Sequence, residues 1–126
     1  MERQIYYHDT DAGGVVYYAN YLKYMEEART DYLLARGVRI TDLIARGILF
    51  AVRSCSLDYR APARYGDVVL CDAVIEKLTG ARVFFRQKVV NKVSGDLLVE
   101  ADVVLACLGE RFRPCPIPTD IKERLA

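Results

Sequence analysis

Between Ile48 and Leu108 the apolar residues of this chain recur at every second position, whereas between Tyr21 and Ala35 they recur at every third or fourth. No single type of element satisfies both periods, so the chain must set one long helix against strands. Tyr21, Met25, Ala28, Tyr32 and Ala35 step by four and three, while Lys23, Glu26, Glu27 and Asp31 lie elsewhere on the wheel. With Gly37 as a left-handed stop, this predicts a helix of roughly five turns. Thr41 to Arg46 reads as a short second helix, capped by Thr41 and closed by Gly47.

Four strand-like runs follow: Ile48 to Tyr59, Asp67 to Leu78, Arg82 to Lys92 and Leu97 to Leu108. The breaks between them are short and rich in turn residues, which predicts an antiparallel meander. In the third run Val83, Phe85 and Val89 share one face and Arg82, Arg86 and Lys88 the other. In the last, Leu97 to Cys107 alternates apolar residues against Glu100 and Asp102. One face of the sheet is thus expected to lie on the helix. Arg3 to Tyr7 reads as a further short strand, giving five. Beyond Gly109 the segment Arg111 to Pro118 is too rich in proline for a central strand, and Thr119 to Leu125 closes with a turn of helix. The expectation is an α+β fold in a single domain over residues 1–126, with a five-stranded antiparallel sheet around one long helix. Such a sheet leaves an edge strand and apolar surface unused, so self-association is expected.

Composition narrows the function. The chain of 126 residues is 52% hydrophobic, enough for one core, and 18 Lys and Arg against 17 Asp and Glu leave a formal charge of +1. No global field selects nucleic acid or an anionic membrane, and no apolar run approaches the roughly 18 residues of a membrane span. The N-terminus lacks the layout of a signal peptide, so a cytoplasmic protein is expected. Cysteines stand at 55, 71, 107 and 115 without a CxxC pair, and there is one histidine, His8. That pattern suits neither a zinc site nor a disulfide framework, and buried free thiols are expected. With His8 as the sole imidazole, Ser-His-Asp and Cys-His schemes are disfavoured. No phosphate-loop or dinucleotide signature occurs.

The chemistry concentrates at Tyr6 to Tyr21, where Asp9 and Asp11 precede Gly13-Gly14 just ahead of the long helix. Glycines let the backbone turn sharply and approach a ligand, and a helix start offers unpaired N–H groups at a positive dipole end. By itself the same pattern is more often a capped turn than an active site. Tyr7, the Asp11-Ala12-Gly13-Gly14 turn, Val16-Tyr17-Tyr18-Ala19-Asn20-Tyr21, Phe50 to Arg53 and Tyr59 to Arg64 together resemble the hotdog-fold acyl-CoA thioesterases. The group is the Tol-Pal-associated (YbgC-like) one, which is similar to the 4-hydroxybenzoyl-CoA thioesterases. The resemblance covers nearly the whole chain, because the order of elements agrees along with the motif.

The resemblance implies a homo-oligomer, a dimer or a dimer of dimers, with active sites at the protomer interface. It implies an acyl-CoA substrate of which CoA is a part, and no separate cofactor or metal. Thioester hydrolysis needs a group that attacks or activates water and donors aimed at the developing oxyanion. Asp11 suits the first role, as general base or as nucleophile. A backbone N–H near Tyr18 is implied as the polarising donor, with Tyr7 shaping the acyl site and Gly14, Val16, Tyr17 and Asn20 lining it. Tyr18 departs from the Tol-Pal-associated pattern, which commonly has His there, and matches the benzoyl-type relatives. This biases the acyl pocket toward aromatic groups, and the substrate expected overall is a short-chain aliphatic or aromatic acyl-CoA. Asp9 reads as a structural acid and His8 as a surface residue. Arg53, a lone charge in an apolar strand, is expected to pair with an acid at the subunit interface or to meet substrate. Arg82, with Arg86, Lys88, Arg111 and Arg113, is a candidate partner for the CoA phosphates. Two further readings stay open: a scaffold binding acyl carrier protein or envelope-related partners, and a dehydratase of the same fold.

Overall fold

The computed structural model describes residues 1–126. In chain order the elements are β1 (Glu2–Gln4), a 3-10 turn (Tyr7–Asp9), α1 (Asn20–Ala35), α2 (Ile40–Ala45), β2 (Leu49–Tyr59), β3 (Val68–Cys71), β4 (Val74–Leu78), β5 (Arg82–Asn91), β6 (Leu97–Leu108), a second 3-10 turn (Glu110–Phe112) and α3 (Thr119–Leu125).

The helix expected from Tyr21 onward is α1, whose 16 residues make about four and a half turns. It stops where Gly37 takes a φ of +76°: the Gly37 N–H donates to Leu34 O at 2.9 Å and the Val38 N–H to Leu33 O at 2.9 Å. This Schellman closure also buries Val38 beside Leu33. Gly47 ends α2 in the same way, with the Ile48 N–H on Leu43 O. Thr41 is not the cap of α2; the helix begins at Ile40 with Arg39 in the cap position and no side-chain cap bond.

All strands form one antiparallel sheet in the order β1-β3-β5-β6-β2, with β4 also paired to β5. Two expectations are corrected here. The run from Asp67 to Leu78 is interrupted at Asp72, whose N–H donates to Lys88 O at 3.0 Å while its Oδ1 accepts the Lys88 N–H at 2.7 Å. A side chain thus replaces a carbonyl in the ladder, and one expected strand becomes β3 and β4, six strands in all. The meander also fails at its first step. β2 does not turn back onto β3 but pairs with β6 at the opposite edge of the sheet. The connection carries the chain across instead of forming a hairpin because its backbone is bound elsewhere. The Ala63 N–H donates to the Tyr21 hydroxyl at 3.1 Å, and Ala63 O accepts the Val16 N–H at 2.9 Å.

The period-two reading of β5 and β6 describes the core. Val83, Phe85 and Val89 from β5 join Val99, Ala101, Val103, Leu105 and Cys107 from β6 against Tyr21, Tyr24, Met25, Ala28 and Leu33 of α1. Ile117, Ile121 and Leu125 bring the tail and α3 into the same cluster. β1 is shorter than the expected strand Arg3 to Tyr7, because Asp9 Oδ2 accepts the Tyr6 N–H at 2.8 Å and draws the chain into the 3-10 turn. The thiols are only partly buried: Cys71 and Cys107 are enclosed, Cys115 is half-buried and Cys55 is exposed on β2. No helix is long and apolar enough to cross a membrane.

Candidate active site

Asp9 and Asp11 stand two residues apart and meet opposite environments. Asp9 is only 4% exposed and saturated with donors. Its Oδ1 accepts the Tyr24 hydroxyl at 2.8 Å, its Oδ2 accepts the Tyr6 N–H at 2.8 Å, and Arg3 stands 3.6 Å away. Burial alone pushes this carboxyl upward, but the Tyr6 N–H, the Tyr24 hydroxyl and Arg3 outweigh it and hold the group below the usual carboxylate range. Its backbone carbonyl accepts both the Tyr17 N–H at 2.9 Å and Asn20 Nδ2 at 2.8 Å. Asp9 is therefore the anchor that fastens the loop to the start of α1. His8 lies on the surface, its side chain 76% exposed.

Asp11 is exposed and lies at the tip of a miniature hairpin. Thr10 pairs with Val16, the Asp11 N–H donates to Val15 O at 3.0 Å, and the Gly14 N–H returns to Asp11 O at 3.0 Å. Gly14 closes the turn with a φ of +76°, a conformation that costs a residue with a Cβ. A Cβ on Gly13 would come within 3.2 Å of the Asp11 carboxylate, so the small residue preserves room beside it. Asp11 Oδ1 accepts the Gly13 N–H at 2.8 Å, and its other oxygen has no protein partner. That oxygen is free to take a proton from water or to attack a carbonyl carbon.

The hairpin leads directly to α1. The Tyr17 N–H is committed to Asp9 and the Asn20 N–H to Tyr17 O, but the N–H groups of Tyr18 and Ala19 donate to no protein acceptor. They sit at the positive end of a 16-residue helix. Tyr18 is 62% exposed and held by aromatic contacts, with its ring centroid 4.9 Å from Tyr17 and 6.2 Å from Tyr59 in an edge-to-face pair. The Tyr59 hydroxyl donates to Tyr18 O at 3.1 Å. Together with Val16, Tyr21, Arg60 and Pro62, Tyr18 and Tyr59 line a cleft of about 300 Å³.

The motif residues accordingly divide by task. Tyr18 lines the cleft and meets solvent, Tyr17 is exposed beside it, and Val16 is buried with its N–H on Ala63 O. Asn20 is a clamp on Asp9. Tyr7 is 79% exposed and packs edge-on against Tyr65 at 6.0 Å, on the 3-10 turn and not on a strand. Arg53 and Arg82 are not gathered here. Arg53 occupies the bulge of β2 where the register shifts between Val52 and Ser54, and it is exposed, so it needs no ion partner within the chain. Arg82 pairs with Ala106, whereas Tyr59 pairs with Val99. At about 3.3 Å per residue, that separates Arg82 from the cleft by roughly 23 Å along β6. Arg86 is engaged with Asp102 at 3.2 Å on the outer face of the sheet. Tyr59 and Arg60 went unassigned in the sequence, though both fall in the segment that carries the resemblance. The signal that would have found Tyr59 is its place at the end of β2, beside the crossover.

A larger groove of about 600 Å³ runs between α1 and the open edge strand β2, lined by Leu22, Glu26, Arg29, Val52, Cys55 and Val103. It does not contain Asp11. Arg29, only 8% exposed, reaches into its wall and donates to Gln87 Oε1 at 2.9 Å.

The model of the thioesterase superfamily matches residues 13–97. The acyl-CoA thioester hydrolase YbgC of Escherichia coli is 37% identical over 119 residues, which span 94% of this chain and 88% of that protein. The 1,4-dihydroxy-2-naphthoyl-CoA thioesterase Slr0204 from Synechocystis superposes with a TM-score of 0.91 at 27% identity, covering 99% of this chain and 93% of its own. The 4-hydroxybenzoyl-CoA thioesterase from Pseudomonas sp. strain CBS-3 superposes with a TM-score of 0.89 at 26% identity, covering 98% and 96%. Two thirds of this chain match the family and its whole fold superposes on solved members, so the chain belongs to the thioesterase superfamily, with the hotdog fold.

Proposed function

We propose that this protein hydrolyses acyl-CoA thioesters to the free acid and CoA, with Asp11 as the reacting carboxylate. The observation that carries this reading is the contrast between a free Asp11 oxygen and the two unpaired N–H groups of Tyr18 and Ala19, on one continuous loop–helix junction. In the base route Asp11 takes a proton from water as the water oxygen bonds to the thioester carbon. In the nucleophile route the carboxylate itself forms that bond, giving a mixed anhydride that water then opens. Either way the carbonyl oxygen gains negative charge and accepts a hydrogen bond donated by the Tyr18 N–H at the helix start. The C–S bond then breaks and the CoA thiolate leaves, needing little acid assistance. The names of relatives acting on acyl-CoA, 4-hydroxybenzoyl-CoA and 1,4-dihydroxy-2-naphthoyl-CoA support the substrate class.

The finer reading is an aromatic or short aliphatic acyl group, for which the aromatic cleft of about 300 Å³ is a fitting size and lining. CoA enters as substrate and no separate cofactor is required. The working form is a homo-oligomer, because β2 offers an open edge along 11 residues and the α1–β2 groove lies uncovered. The site of action is the cytoplasm, where acyl-CoA is made and consumed.

The test is thiol release from acetyl, butyryl, hexanoyl, palmitoyl and benzoyl-type CoA by wild type and Asp11→Asn, with fold and oligomeric state checked. The variant is expected to lose at least about 100-fold in kcat/KM, the scale of one general base. Equal turnover in both proteins would place the chemistry on another residue. Absent turnover in the wild type, including with thioesters of acyl carrier protein, would favour the scaffold reading. Single turnover in ¹⁸O water separates the routes: water that opens the anhydride at the aspartyl carbon leaves the label in Asp11, whereas the base route puts it only in the product acid.

A further inference from the structure

The end of β6 and the start of the tail carry two thiols that the hydrolytic site does not use. Leu108 pairs with Pro114 in an isolated antiparallel bridge, so Cys107 and Cys115 stand directly opposite one another. The Cys115 N–H donates to Cys107 O at 3.0 Å, and the two sulfur atoms lie 3.5 Å apart. Opposed residues on antiparallel strands have Cα atoms about 4.5–5.5 Å apart, inside the range of about 4.4–6.8 Å that a disulfide spans. The bond would therefore form by side-chain rotation, without movement of the backbone.

The hairpin that holds the thiols in opposition is unusual. Arg111 and Phe112 both have a φ of +56°, and the Arg113 N–H returns to Glu110 O at 3.2 Å, a turn of the kind normally made by Asn-Gly. Two side-chain-bearing residues in that region are costly, so the rest of the tail must keep the turn in place. The Gly109 N–H on Arg113 O and the Ile117 N–H on Gly80 O do so.

We infer that Cys107 and Cys115 are an oxidative modification site, at which a hydroperoxide converts two thiols into an intramolecular disulfide that staples the C-terminal tail to β6. Cys115 is half-buried and meets solvent, whereas Cys107 is fully enclosed. The division of labour follows. The Cys115 thiolate attacks the peroxide, its S–O bond forms as the O–O bond breaks, and water or an alcohol leaves. The Cys107 sulfur then attacks the sulfenic sulfur; the S–S bond forms, the S–O bond breaks and a second water leaves. Two thiols lose two electrons and two protons, and the peroxide is reduced. Burial, and then the Cys115 sulfur beside it, push the Cys107 thiol up to about 12, which makes it the slower resolving partner.

Cys107 pairs with Phe50 near the start of β2, while the cleft lies beside Tyr59 at its other end. The disulfide is therefore expected to change stability and leave hydrolysis at 25 °C within about twofold. The experiment treats the full chain with hydrogen peroxide, then reads intact mass, a non-reducing peptide map and Tm. The expected result is loss of the mass of two hydrogens, one peptide pair linking residues 107 and 115, and a Tm rise of about 5–10 °C that dithiothreitol reverses. Cys115→Ser, a conservative change at a half-buried position, is expected to abolish all three, while Cys55→Ser leaves them intact. Addition of two or three oxygens to Cys115 with no linked peptide would overturn the inference. So would a bond between Cys55 residues of two chains as the main product, or a linked peptide with no change in Tm.

Discussion

Replacing Tyr24 by phenylalanine removes one oxygen atom and tests whether the buried Asp9 anchor holds the loop–helix junction together. The Tyr24 hydroxyl is fully buried and donates to Asp9 Oδ1 at 2.8 Å. Without it, that oxygen keeps only Arg3 at 3.6 Å, while Oδ2 retains the Tyr6 N–H. A hydrogen bond to a charged group contributes about 1.5–3 kcal/mol, and no water can replace the lost donor in a site this closed. For a chain of this length the cost corresponds to a fall in Tm of roughly 6–12 °C at pH 7. The pH dependence adds a sign. Asp9 is held below its unfolded value near 4, so its stabilisation is present above that pH and is lost as pH falls through the lower folded value. The Tm difference between wild type and Tyr24→Phe should thus be full at neutral pH and shrink in acid. Burial, then Asp9, also push the Tyr24 phenol well above its ordinary value near 10, so the wild type loses stability as pH rises beyond that point and the variant lacks this contribution. Calorimetry across pH 3 to 11 measures all of this. A Tm within about 1 °C of wild type at pH 7, or a difference that does not change in acid, would refute the anchoring role.

Two further outcomes check other parts of the molecule. Gly14→Ala places a Cβ where φ is +76° and nothing lies within 4 Å, so its cost is backbone strain of roughly 1–2 kcal/mol; Tm should fall by several degrees and kcat/KM drop with the fold retained, and unchanged kcat/KM would show that the turn does not orient Asp11. Gln87→Met removes the acceptor that holds the Arg29 guanidinium at 2.9 Å, a hydrogen bond to a charged group that contributes about 1.5–3 kcal/mol; the urea midpoint should fall by about 1–2 M, and an unchanged midpoint would show that this bond does not hold Arg29 in the core.

The division between α1 and the strands was legible in the sequence because each element obeys its own hydrophobic period, and that period is a local property. The same holds for both helix stops. Gly37 and Gly47 stand where a left-handed residue is needed, and the structure places each at a positive φ. The family was legible too, since the Asp11 turn and the Tyr59 to Arg64 segment are contiguous motifs. Local reading failed where a side chain took the place of a backbone partner. Asp72 broke one strand into two through its own carboxylate, and Asp9 shortened β1 by accepting the Tyr6 N–H.

What only the tertiary structure decided is which distant residues share a surface. The length of the β2–β3 connection permits a hairpin, but its hydrogen bonds to Tyr21 and Val16 send it across α1 to the other edge of the sheet. That crossover sets Tyr59 against Tyr18 and builds the cleft, and it leaves Arg53 and Arg82 outside. The unlike fates of Asp9 and Asp11 were decided there as well. Two identical side chains become a buried anchor and a free carboxylate because Tyr24, Tyr6 and Arg3 converge on one and only the Gly13 N–H reaches the other. Sequence determines the elements and the residues able to react; long-range packing determines which polar groups are already satisfied, and chemistry falls to those that are not.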